Sequence, residues 1–342
     1  MLKKILLCYC LLFYSVIGFA DEEEVFVLRL HHFLPASSSF HTDVLQLWAE
    51  KLADQSEGQL QIEFYPGMQL GGSPSTLYNQ VHSGKVDIVW TLLGYSKNRF
   101  PIASVFELPF IAASAEASSQ AAYEFSQYHL KEELSGVHPL TLHAHSPGIL
   151  HVRNKKVTQL SDLKDLRIRV PNNTLAQTLS ALGADPIFMS IPQIPPAFLN
   201  NKLDGVALPY EGIRLLDIDN ITRTHIELVG EYGLYTSIFL FAMNQSLYES
   251  LPIHLRTIID KNSGVRLAQQ IGKMYDAMRQ DERAKLLAKG NKIIILSKQE
   301  TQKWQDKSQT VIRTWVKNMH EKGHDGQALI SRARQLVKKY SE

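Results

Sequence analysis

The stretch LRIRVPNNTLAQTLSALGADPIFMS, Leu166 to Ser190, holds the local patterns from which the fold follows. Leu166, Ile168 and Val170 alternate with Arg167 and Arg169, the two-residue period of a strand. Pro171, Asn172 and Asn173 end that strand and offer caps for a helix over TLAQTLSALG, which Gly183 closes. PIFMS then returns as a strand. Strand, helix and strand in succession make an α/β unit, whose parallel sheet is flanked by helices.

The same alternation extends in both directions. VFVLRLHHF reads as a first strand, and the segment from about Phe40 to Gln55 as a helix with Val44, Leu45, Trp48 and Leu52 on one face. QLQIEFYPG, the short helix in SPSTLYNQVHSG and the buried strand VDIVWTLLG complete a βαβαβ pattern. LTLHAH and ILHVR are short strands around Ser146–Gly148. PQIPPAFLNNKL reads as a helix, DGVALP as a strand and GLYTSIFLFAMN as a long apolar strand. Leu255 to Ala288 is helical in pattern throughout, interrupted only by Gly264 and Gly272. A helix of that length exceeds what one small lobe needs and suits bracing two. Ser297 and Glu300 form a capping box for a further helix, and Asp325 is placed to cap the last one.

Met1 to Ala20 has the layout of a secretory signal peptide: Lys3 and Lys4, an apolar run, then Gly18 and Ala20 at the −3 and −1 positions. Both cysteines, Cys8 and Cys10, lie inside it without the small residues of a lipoprotein signal, so the exported chain has no disulfide. Loss of Lys3 and Lys4 leaves 34 of the 36 basic residues against 34 acidic ones. With no basic aromatic patch and no later apolar run of membrane-spanning length, neither nucleic acid nor a bilayer is an expected partner. The expectation is an exported protein of roughly 320 residues, enough for two lobes with separate cores.

Ligands of open α/β sheets bind beyond the carboxyl ends of the strands. His31 and His32 end the first strand, Tyr95 follows VDIVW, Arg169 ends LRIRV, and Pro209, Tyr210 and Glu211 follow DGVAL. Asn173 lies at the same junction as Arg169. A guanidinium matches a carboxylate with two parallel hydrogen bonds, and the adjacent helix start adds positive field. By residue type alone Arg169 also reads as a solvated arginine at a sheet edge, with Arg167 deeper or at the lobe surface. His143 and His145, like His31 and His32, are possible zinc ligands, but no carboxylate or cysteine is spaced to complete a set, so no metal or other cofactor is assigned. Trp48 and Trp90 fall on apolar faces and read as core. There is no G-x-S-x-G, P-loop, G-x-G-x-x-G or H-E-x-x-H pattern, which leaves a solute receptor ahead of an enzyme.

GGSPSTLYNQVHSGKVDIVW, NRFPIASVFELPF, the run from DLKDLRIRVP to KLDGVALP, and NQSLYESLP together resemble the solute-binding proteins of TRAP (tripartite ATP-independent periplasmic) transporters, the DctP-like family. The resemblance covers nearly all of the chain after the signal. It implies two α/β lobes joined by crossing strands and a long helix, with lobe I from 21–147 plus about 238–275 and lobe II from 148–237 plus about 276–342. It also implies a small organic acid bound in the cleft, lobe closure, and delivery to a separate membrane permease. Arg169 occupies the place of the family arginine that pairs with the ligand carboxylate. Ile149, Leu150 and His151 stand where many members carry a second basic residue, and Leu208 precedes Pro209 where many have a polar residue. One arginine among apolar and aromatic neighbours fits a monocarboxylate, with Tyr95, Tyr210, Tyr235 and Phe239 as candidate walls and Glu211 as an acceptor for a ligand hydroxyl or amine. A periplasmic metal receptor using the histidines and an exported enzyme acting on a small acid are the alternatives.

Overall fold

The computed structural model describes residues 24–153 and 155–342; the expected signal peptide, residues 1–20, lies outside them. The described strands are β1 (Phe26–His32), β2 (Leu60–Tyr65), β3 (Ile88–Leu92), β4 (Val137–Ala144), β5 (Ile149–Val152), β6 (Arg167–Val170), β7 (Asp185–Phe188), β8 (Gly205–Leu208), β9 (Thr224–Glu227), β10 (Ile238–Asn244) and β11 (Lys292–Ile295). They form two sheets, each with its own core. The first has the order β2-β1-β3-β10-β4, with β1 parallel to β2 and β3, and β10 antiparallel to both β3 and β4. The second has the order β11-β9-β5-β8-β6-β7, with β6 parallel to β7 and β8, and β5 antiparallel to β8 and β9.

The LRIRV-to-PIFMS stretch folds as its pattern dictates. Arg167 pairs with Asp185 and Val170 with Phe188 in parallel register, on either side of the helix Asn173–Leu182. The Asn172 carboxamide accepts from the Leu175 N–H at 2.8 Å and so satisfies one of the free donors of that helix start. Ile168, Val170, Leu175 and Leu179 pack together on one face of the sheet, and Val206, Leu208 and Phe198 on the other. Both faces are therefore covered, as in α/β sheets generally.

The chain crosses between lobes from Ala144 to Ile149 and back from Glu227 to Ile238. The two crossing segments pair through the Gly148 N–H and the Tyr235 carbonyl at 2.9 Å. A third link is the helix Gly264–Ala288, whose Leu267 and Ile271 enter the first core and Leu286 the second. Gly272 on this helix has a steric purpose: a Cβ there would lie 2.4 Å from the Glu116 Cα. One turn on, the Asp276 carboxylate accepts from the Ala115 and Glu116 N–H groups at 2.8 and 2.9 Å and pins the spanning helix to the start of the helix Ala115–His129.

The expected division put residues from about 276 to 342 with lobe II. The packing splits that segment. Trp304, early in the helix Lys298–Glu321, lies in the second-lobe core, whereas Val311, Trp315 and Met319 of the same helix, and Leu329, Ile330 and Val337 of the helix Gly326–Ser341, lie in the first. The strands β9 and β11 go beyond the sequence expectation; they extend the second sheet past β5. Among the described residues no helix is long and apolar enough to cross a membrane.

Candidate functional site

A cavity of about 290 Å³ lies between the lobes, at the carboxyl ends of β1, β3, β6 and β8. Lobe I contributes Leu34, Ser38, Phe40, Trp90 and Tyr95; lobe II contributes Arg169, Pro171, Leu208, Pro209 and Glu211. The crossing segments add His145, Tyr235 and Ser237, β10 adds Phe239, and the spanning helix adds Tyr275 and Met278.

Arg167 and Arg169 share one face of β6 but have different fates. Arg167 lies at the lobe surface and grips Asp204, with Nε and Nη2 at 2.9 and 2.8 Å from its carboxylate oxygens. Arg169 is 1% exposed. Its Nε donates to the Met189 carbonyl at 2.9 Å, Nη1 to the Ala207 carbonyl at 3.2 Å and Nη2 to the Tyr95 hydroxyl at 3.4 Å. These bonds use three of its five N–H groups and leave one on each terminal nitrogen for an incoming anion. Among the described residues no Asp or Glu side chain forms an ion pair with it. A buried cation without a counter-ion costs several kcal/mol, and an incoming anion relieves that cost.

The first-lobe wall is a layer of stacked rings. Phe40 and Trp90 have centroids 4.2 Å apart at 25°, and Trp90 and Phe239 4.9 Å apart at 3°. The Trp90 Nε1–H donates to His143 Nε2 at 2.8 Å, which fixes the indole plane. Flat walls of this kind favour a planar apolar guest.

Burial shifts two titratable groups of the lining. Burial pushes His145 down to about 4. With its Nδ1 bound to the Ser146 carbonyl at 2.5 Å, its Nε2 is left as an acceptor. Burial pushes Glu211 up to about 7; its carboxyl accepts from the Ser146 N–H at 3.2 Å and binds the Ser146 hydroxyl at 2.7 Å. Among the described residues the Tyr235 and Ser237 hydroxyls have no hydrogen-bond partner. Arg214, at the rim, is paired with Glu282 at 2.7 Å.

Of the residues singled out in the sequence, Arg169, Tyr95, Pro209, Glu211 and Tyr235 meet around this cavity. His31, His32, Asn173 and Tyr210 lie elsewhere. His31 and His32 are still within β1, so they face the layers on either side of the sheet rather than its end. His31 Nδ1 bonds Gln80 Oε1 at 2.7 Å, and His32 Nε2 bonds His41 Nδ1 at 2.9 Å. The Leu34 N–H donates to His32 Nδ1, so His32 must carry its proton on Nε2. Leu34, beyond the strand end, is the residue that reaches the cavity. Asn173 bridges to Asn98 at 3.1 Å on the exposed lobe edge. Tyr210 turns into the second-lobe core and donates to Glu227 Oε1 at 2.8 Å, while its neighbour Glu211, about 100° further round the helix, faces the cavity.

His151, where a second basic residue was weighed, is fully buried and bonds the Leu208 carbonyl at 3.0 Å and His225 at 2.7 Å. Among the described residues no group of three or more His, Cys, Asp or Glu is arranged to hold a metal. Phe40, Trp90, Tyr275 and Ser237 line the cavity without having been singled out for it; Tyr275 lies midway along the spanning helix, away from any strand end.

Residues 30–318 match the model of the DctP family, the bacterial extracellular solute-binding proteins, family 7. The chain belongs to that family. Solved structures similar to this DctP-family protein agree with the two-lobed fold. A TRAP solute-binding protein from a marine metagenome, specific for aromatic acid ligands and seen with metahydroxyphenylacetate and with 3-hydroxybenzoate, is 35% identical over 93% of this chain and 100% of its own, with a TM-score of 0.91. One from Rhodoferax ferrireducens T118, with copurified benzoate, is 38% identical over 93% of this chain and 99% of its own, with a TM-score of 0.90. One from Bordetella bronchiseptica, with bound mandelate, is 26% identical over 92% of this chain and 99% of its own, with a TM-score of 0.85.

Proposed function

We propose that this protein is a periplasmic receptor of a TRAP transporter that binds a small aromatic monocarboxylate between its lobes and hands it to a membrane permease. The observation that carries the reading is Arg169: a buried guanidinium with two free N–H groups, no internal counter-ion, and a cavity beside it. The carboxylate takes the arginine fork, and the ring lies against Phe40, Trp90 and Phe239. The flat wall of stacked rings supports a benzoate or a substituted benzoate over a sugar acid. His151 turned away and Arg214 already paired leave one anchoring cation, which supports one carboxylate rather than two. The lining offers no nucleophile with an adjacent base, which supports transport rather than turnover. Closure of the lobes on the ligand makes occupancy visible to the permease, because only a conformation-dependent contact reports it.

A thermal-shift screen of the purified protein against benzoate, 3-hydroxybenzoate, mandelate and succinate tests this reading. Stabilisation by the aromatic monocarboxylates and not by succinate is expected. Stabilisation by succinate alone, or by none of the acids, would overturn it.

A further inference from the structure

Tyr95 occupies the point where the two lobes and the cavity meet. Its ring belongs to lobe I and packs edge-on against Phe33 with centroids 5.5 Å apart. Its hydroxyl oxygen is reached by two donors from lobe II: the Ile191 backbone N–H at 3.0 Å and Arg169 Nη2 at 3.4 Å. An N–H of either kind only donates, so the hydroxyl accepts both bonds and both lone pairs are used. Its own proton is left over, and among the described residues no acceptor takes it. Tyr95 is 3% exposed and lines the cavity. Burial holds the phenol above its ordinary pKa, so that proton stays in place at neutral pH.

The same loop makes two further contacts across the cleft. Asn98 accepts from Asn173 at 3.1 Å. Gly94 lies so close to Asn172 that a Cβ on it would come within 2.7 Å of the Asn172 Cβ. The φ of Gly94 lies outside the left-handed region, so this approach, and not the backbone, is what requires glycine here.

Resting on the receptor reading above, we infer that Tyr95 couples ligand binding to closure: its hydroxyl donates its one proton to the carboxylate held by Arg169 while it accepts the lobe II donors that fasten the lobes. The carboxylate completes the hydroxyl's third bond. The hydroxyl in turn holds the loop Leu93–Asn98 against lobe II. Ligand contact and latch thus share one oxygen atom, which gives the ligand a differential affinity for the closed form.

The test compares the wild type, Tyr95→Phe and Asn98→Ala. Benzoate affinity is measured by calorimetry and ligand-induced compaction by small-angle X-ray scattering at saturating benzoate. Tyr95→Phe keeps the ring and its packing and removes only the hydroxyl; its ligand-free melting temperature checks that it folds. The expected result is an affinity loss of about tenfold or more, the scale of one hydrogen bond to a charged group, together with incomplete compaction at saturation. Asn98→Ala removes a cross-cleft bond that touches no ligand and is expected to bind within about threefold of wild type, since an exposed neutral bond is worth little. If Tyr95→Phe binds and compacts like wild type, or if it loses affinity yet compacts fully, the coupling is refuted. It is equally refuted if Asn98→Ala matches the loss in Tyr95→Phe, since docking of the loop and not the phenol proton would then be responsible. If the wild type itself binds no benzoate, the receptor reading fails first, a separate outcome.

Discussion

Replacing Arg169 with methionine separates its role as an anchor from any role in folding. Methionine is similar in length and carries no charge. Two opposing effects act on the ligand-free protein. Removing an unpaired buried cation relieves a desolvation penalty of several kcal/mol. The Met189 and Ala207 carbonyls lose their donors, at about 1–3 kcal/mol each. These terms are comparable, so the ligand-free melting temperature is expected to stay within a few degrees of wild type. Binding has no such compensation. Removing one member of a buried charge pair costs about 2–5 kcal/mol, and 3 kcal/mol raises Kd by about 150-fold. At a benzoate concentration of about 100 times the wild-type Kd, the wild type gains about 2.7 kcal/mol by mass action, worth roughly 5 °C in a chain of this size. The same concentration lies below the Kd of Arg169→Met, which gains about 0.3 kcal/mol, under 1 °C. Differential scanning fluorimetry with and without benzoate reads both quantities. A retained shift of several degrees would show that Arg169 does not hold the acid. A ligand-free loss of 3–5 kcal/mol would show that it has an internal counter-ion, contrary to the geometry.

Three further expectations follow from the same geometry. Gly94→Ala pushes against Asn172 across the cleft and is expected to weaken benzoate binding severalfold while leaving the ligand-free melting temperature unchanged; equal affinity would mean the lobes do not close at that point. Tyr210→Phe loses the bond to Glu227 and is expected to lower stability by about 1–2 kcal/mol in urea denaturation, with benzoate affinity unchanged; a loss of affinity would place the phenol at the ligand. Burial raises Glu107 from its ordinary 4.5 to about 8. Between those values the unfolded carboxyl has released its proton and the folded one retains it, so this group makes stability fall as pH rises. Glu107→Gln cannot ionise, and its stability relative to wild type is expected to increase from pH 5 to pH 8, by up to about 1.4 kcal/mol per pH unit. A constant difference across that range would refute the buried protonated form.

Much of this was legible in local sequence, because it depends on residues near one another along the chain. Alternation in LRIRV, helical spacing in TLAQTLSALG and the closing Gly183 need only local geometry, and together they determined the α/β class and put Arg169 at a strand end. The order of the four family stretches extended that to two lobes and a spanning helix. What the pattern could not separate was core from cavity. Both faces of an α/β sheet are covered, so a strand such as Ile88–Leu92 is buried throughout, and Trp90 reads as interior whether or not it also walls a site. Tyr210 and Glu211 differ by one step of a helix, and only the placement of that helix against β8 and the spanning helix turned one to the core and the other to the cavity. His31 and His32 ended a strand like good site residues, yet Gln80 had claimed His31 Nδ1 and His41 had claimed His32 Nε2. The insertion of β10 between β3 and β4, the return of the last two helices to lobe I, and the meeting of Tyr95 with Arg169 and Ile191 join segments from about 70 to 200 residues apart. Such contacts leave no periodicity behind. The sequence by itself determined the elements and supplied one charged residue at the right kind of place; only the tertiary structure decided that the residue would be buried without a counter-ion, because that depends on what every distant segment does not bring to it.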